Sequence, residues 1–135
     1  MQGRLELFGV ARWQAESGSA TLPDNLPGYL VAYLAYRGDW VGRESLVDLF
    51  WPDRQEAEAL HNLRSNLHRV RRLLAHWSLT QCLETEPRRM RLGLPTDVAA
   101  FRAAIGRGDW AAAAAMQREP LLSALSYKGF PVLEE

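Results

Sequence analysis

Apolar residues recur along this chain with two periods, and the switches between them mark its elements. The longest pattern runs through Leu60, Leu63, Leu67, Val70, Leu74 and Trp77, separated by steps of three and four, as one buried helix face requires. Asp53 and Glu56 stand ahead of it at the spacing of a capping box, so the pattern predicts a helix over 54–77. Upstream, Leu26 to Arg37 is apolar on most sides, with Asn25 placed to cap it and Gly38 to stop it, which predicts a core helix. Arg43 to Trp51 predicts another, with Leu46, Leu49 and Phe50 inward and Pro52 behind it. Gly42 stands there where Ser or Thr would cap better.

Elsewhere the period drops to two. Leu5, Leu7 and Val10 alternate loosely with Arg4, Glu6 and Arg12, Glu16 to Ser19 is turn chemistry, and Ala20 to Leu22 closes a hairpin before Pro23. Cys82 to Glu86 and Arg89 to Leu94 alternate on either side of Pro87-Arg88. They predict a second hairpin, 82–94, with Met90, Leu92 and Leu94 on one face and arginines on the other. Beyond it Thr96 or Asp97 caps a helix through Ile105, Gly106 to Gly108 break it, and Asp109 caps another from Trp110 to about Arg118, before Pro120.

These elements predict an α+β fold. Two helices joined by a turn, the second basic and followed by a hairpin, make a winged helix-turn-helix: a three-helix core, an N-terminal β-sheet and a C-terminal β-hairpin as the wing. A C-terminal α-helical pair is appended. The expected domains are 1–95, the winged helix, and 96–135, the beginning of a helical repeat domain. One pair cannot bury its own faces, so the second unit reads as truncated.

Charge changes the picture at one place. The 135 residues carry 16 basic and 16 acidic side chains, a net charge of zero, which excludes a diffusely basic protein. Yet between Ala59 and Leu83 there are four arginines and no carboxylate. At roughly 100° per residue, His61, Ser65, His68, Arg69, Arg72 and His76 fall opposite the apolar face, with Arg64 and Arg71 on its flank. A basic helical face is often only a solvated face. Its position as the second helix of a helix-turn-helix, with Arg88 and Arg89 at the tip of the following hairpin, points instead to double-stranded DNA. The helix would then enter the major groove and the wing would lie at the minor groove or backbone. The candidate DNA-binding residues are His61, Arg64, Ser65, His68, Arg69, Arg72, Arg88 and Arg89. The competing reading is a protein–protein adaptor of the same fold, its arginines meeting an acidic partner.

Other chemistry is poorly represented. Cys82 has no partner for an internal disulfide, and no apolar run approaches the roughly 18 residues of a membrane span. The expected setting is therefore the cytoplasm, without membrane association. His61, His68 and His76 are spaced roughly 10 to 12 Å apart along a helix, too far to share one metal ion. No phosphate-binding glycine loop, metalloprotease motif or paired nucleophile and base is present, so neither enzymatic activity, a cofactor nor a small-molecule site is expected. Arg-Gly-Asp-Trp occurs at 37–40 and 107–110; both copies read as punctuation, Gly stopping one helix and Asp starting the next.

Several stretches taken together resemble the SARP-type bacterial transcriptional activators, which join an OmpR-like winged helix to a bacterial transcriptional activator (BTAD) domain. Leu30 to Ala35 resembles the family's first helix, and Val41-Gly42-Arg43-Glu44-Ser45-Leu46 with Leu49-Phe50-Trp51-Pro52-Asp53 its second. Asn62-Leu63-Arg64 and Leu67 to Leu74 resemble its recognition helix. Asp97-Val98-Ala99-Ala100-Phe101-Arg102, Gly108-Asp109-Trp110 and Pro120-Leu121-Leu122 resemble the start of the activator domain. The tip Pro87-Arg88-Arg89 departs from the family, where glycine is common. The resemblance implies sequence-specific DNA binding by a transcriptional regulator, with RNA polymerase and a second copy on repeated half-sites as further partners.

Overall fold

A computed structural model describes residues 3–9, 11–16 and 18–116. Val10, Arg118 and the Pro120-Leu121-Leu122 stretch lie outside them. The elements are β1 (Gly3–Glu6), β2 (Arg12–Ala15), β3 (Gly18–Thr21), α1 (Leu26–Arg37), β4 (Val41–Gly42), α2 (Arg43–Phe50), α3 (Glu56–His76), a 3-10 turn (Thr80–Cys82), β5 (Leu83–Thr85), β6 (Arg89–Leu92), α4 (Asp97–Gly106) and α5 (Trp110–Met116). They fall into two compact units, 26–93 and a discontinuous one made of 1–25 with 94–135. The contacts therefore divide along a different line from the expected 1–95 and 96–135: the N-terminal sheet goes with α4 and α5.

The 26–93 unit holds three helices and a sheet. Its core takes Leu30, Val31 and Leu34 from α1, Leu46 and Phe50 from α2, Leu63, Leu67, Val70 and Leu74 from α3, and Leu79, Met90 and Leu92 from the segment that follows. Phe50 meets Tyr29 and Tyr33 edge-on, at centroid distances of 5.9 and 6.0 Å, an arrangement aromatic quadrupoles favour. The periodic positions Leu63, Leu67, Val70 and Leu74 of α3 are buried as the spacing predicts, while Leu60 and Trp77, the latter just past the helix end, are only partly buried. The hairpin pairs Leu83 with Leu92, Glu84 with Arg91 and Thr85 with Met90.

Two local expectations change. Asp53 and Glu56 form no capping box: α3 starts at Glu56 with Gln55 as N-cap and no side-chain capping bond. Asp53 lies in the turn after α2, where the Arg54 amide donates to the Trp51 carbonyl at 3.2 Å. The hairpin also gains a third strand, because β4 pairs with β6 through Val41–Met90 and Gly42–Arg89, giving the order β4-β6-β5.

The other unit starts from a three-stranded antiparallel meander, β1-β2-β3, where a single hairpin was expected. The chain reverses at Gly9, whose φ of 81° is open to glycine at little cost, so the alternating stretch 4–13 becomes two strands. Thr96 caps α4, its hydroxyl accepting from the Ala99 amide at 2.9 Å. Asp97, only 7% exposed, instead accepts from the amides of Leu7 and Phe8 at 2.8 and 3.1 Å, which ties the chain after β1 to α4. Phe8 packs edge-on against Phe101 at 5.4 Å. Asp109 caps α5 as expected, accepting from Ala112.

Candidate nucleic-acid interface

All six candidate residues on α3, His61, Arg64, Ser65, His68, Arg69 and Arg72, are exposed. Their side chains make no hydrogen bond or ion pair among the described residues. An exposed guanidinium without a carboxylate partner keeps its full charge and donor set for a ligand. The helix ladder forces them outward, since Leu63, Leu67, Val70 and Leu74 fix which face is buried.

At roughly 100° per residue, Arg72, Ser65, His61 and His68 lie near the outermost line of α3, Arg69 toward one edge, and Arg64 and Arg71 toward the other. The structure shows what that second edge meets. Arg71 reaches the Thr85 hydroxyl of the hairpin at 3.4 Å, and Arg43, the first residue of α2, lies close enough to Arg64 and Arg71 to feel both charges. Burial first, then Arg71 and Arg64, push the Arg43 guanidinium below its ordinary value, although arginine stays charged at neutral pH. Three like charges held together on a surface make a local positive potential that an anion would relieve. Arg43 was not singled out from the sequence, and no periodic signal could have found it, because only the β4–β6 pairing brings it here.

The hairpin tip is held, not free. The Arg43 amide donates to the Arg88 carbonyl at 2.9 Å, its Nε to the Glu86 carbonyl at 3.2 Å, and the Glu86 amide to the Arg89 carbonyl at 2.8 Å. The three connecting residues, Glu86, Pro87 and Arg88, have no positive φ, so the tip does not need the glycine common in the resembled family. Arg88 is exposed, and its side chain has no partner among the described residues. Arg89 differs: its Nε donates to Glu86 at 2.7 Å, and its guanidinium lies over the Trp40 ring, 4.1 Å from the centroid. Arg91 does the same with Glu84, at 2.6 and 3.0 Å, and with Trp40 at 4.7 Å. Arg89, a candidate DNA contact by sequence, is therefore engaged within the hairpin, and Arg88 is the available cation.

An open groove of about 730 Å³ borders this surface, lined by Arg43, Arg54 and Arg88 but also by Glu44, Asp48 and Glu56. The mixed charge marks where the cationic surface ends. Among the described residues no cluster could hold a metal ion, and no helix is long and apolar enough to cross a membrane.

The fold is similar to that of EmbR from Mycobacterium tuberculosis, solved in complex with a low affinity phosphopeptide: the TM-score is 0.68 at 23% identity over 92% of this chain. The chain spans 38% of that protein's length. At this identity the likeness shows a shared fold alone, with which the three helices and small antiparallel sheet of the 26–93 unit are consistent. No protein-family model matches the chain, and no curated protein matches it by sequence.

Proposed function

We propose that this chain binds double-stranded DNA as part of a bacterial transcriptional regulator, with α3 in the major groove and the β5–β6 hairpin against the backbone or adjacent minor groove. The observation that carries this reading is the row of unpaired, exposed donors on α3 beside Arg43 and the hairpin tip, on the element that winged helices present to DNA. EmbR, which shares the fold, is a SARP-family transcription regulator, and this supports the same class. Ser65, Arg69 and Arg72 are assigned to base edges, where a guanidinium can grip guanine with two donors. His61, Arg64 and His68, joined by Arg43, are assigned to phosphates, which fix register without reading sequence. In the hairpin Arg88 is the contact and Arg89 its support. RNA polymerase and a second copy on repeated half-sites are the further partners this class implies.

The test is retention on heparin at moderate salt followed by a mobility shift with random duplex, then footprinting on the DNA upstream of the chain's own coding sequence. Failure of both binding steps would favour the adaptor reading. That reading has its own observation: Trp110 and Ile105, on the α4–α5 pair, are 65% and 38% exposed, and exposed aromatics are enriched in protein interfaces.

A further inference from the structure

The two copies of Arg-Gly-Asp-Trp end in different surroundings. Gly38 and Gly108 both have a left-handed backbone, φ 71° and 74°, and both follow a helix. Asp109 then starts α5, whereas Asp39 starts no helix: its carboxylate accepts from the Trp40 amide at 2.7 Å, and the chain continues into β4. Trp110 is left bare to solvent, while Trp40 carries the guanidiniums of Arg89 and Arg91 over its ring.

We propose that Trp40 is the positioning residue of the hairpin, holding Arg89 and Arg91 so that the hairpin offers a ligand the single cation of Arg88 in a fixed place. Arg89 and Arg91 alternate on one face of β6, and that face lies beside the residue preceding β4. Each guanidinium has an indole on one side and a carboxylate as hydrogen-bond partner, Glu86 for Arg89 and Glu84 for Arg91. The two ion pairs are half-exposed and individually weak. Stacking on Trp, the best of the aromatic faces, adds a second restraint to each arginine. Because Arg89 is held by its neighbours on both sides, the preceding residue has little freedom at its backbone, and Arg43 grips the Arg88 carbonyl from α2. The arginine that remains is presented in one location.

This inference rests on the DNA-binding reading, and the experiment separates the two. Salt titrations of a duplex are run on the parent, Arg88→Ala, Trp40→Leu and the double variant, with Trp40→Phe as the conservative change. Losing one phosphate contact removes about 0.9 from the slope of log K against log salt, which is about eightfold in affinity at 0.1 M salt. Arg88→Ala should show that loss in the parent and in Trp40→Phe, but less than about twofold in the Trp40→Leu background. A Trp40 that only stabilises the fold would leave the Arg88→Ala effect at its full size in folded Trp40→Leu protein, and that result overturns the proposal. A readout without DNA is the upfield ring-current shift expected for the Arg89 and Arg91 Nε protons, lost in Trp40→Leu; its absence in the parent would show that no clamp exists. Parent protein that retains the shift yet binds no duplex overturns the DNA reading instead.

Discussion

The two cationic regions of the 26–93 unit, α3 and the β5–β6 hairpin, look alike when arginines are counted and differ once their partners are considered. On α3, Arg64, Arg69 and Arg72 stand in a stretch without a carboxylate, and their guanidiniums have no hydrogen-bond or ion-pair partner among the described residues. In the hairpin, Arg89 and Arg91 alternate with Glu84 and Glu86 across a short turn and share an indole, so two of its three arginines are engaged. Local charge density therefore overstates what the hairpin can offer. Availability depends on whether an acid or an aromatic ring lies within side-chain reach.

The strongest way to break this comparison lies on α3. Arg69→Ala and Arg72→Ala should each weaken specific binding by roughly 1 to 3 kcal/mol relative to random duplex, measured by competition mobility shift; a variant that binds its operator like the parent would remove that arginine from the reading face. Next come Arg43→Ala and Arg64→Ala, expected to weaken all sequences alike and to flatten the salt slope by about 0.9 each. A sequence-dependent loss would move them from phosphate to base contacts. Glu86→Gln should act in the opposite sense: it releases Arg89 from its ion pair, so the salt slope should steepen, by at most about 0.9. The smallest effect is expected from Arg89→Ala. With Arg89 gone from the clamp the slope should flatten by no more than the one contact of Arg88, about 0.9, and the unfolding free energy should fall by what one exposed pair and one stack contribute, roughly 0.5 to 1 kcal/mol. A flattening beyond that single contact would mean that Arg89 leaves Glu86 to meet DNA.

What the sequence made legible was short-range. The period of Leu63, Leu67, Val70 and Leu74 placed α3 and its outward face, alternation through Met90 and Leu92 placed the hairpin, and the Asp109 cap followed from local chemistry. What it hid came from pairing between distant segments. Val41-Gly42 is too short to carry a strand signal, yet by pairing with Met90 and Arg89 it brings Trp40 and Arg43 to the hairpin. Asp97 looked like a helix cap and is an acceptor for Leu7 and Phe8, a role that depends on a segment ninety residues away. The alternation around Gly9 reads as one strand by itself, and only its left-handed backbone marks the reversal there.

The grip of Arg43 on the hairpin has a consequence for shape. Its amide and Nε hold the carbonyls of Arg88 and Glu86, and Arg43 begins the helix that packs on α3 through the shared core, so the span between Arg72 and Arg88 is set before any ligand arrives. A fixed span works as a gauge. Duplexes whose groove and backbone match it would be gripped without ordering cost, while those of other width must bend or widen, at an energy that depends on the stiffness of base pairs the protein never touches.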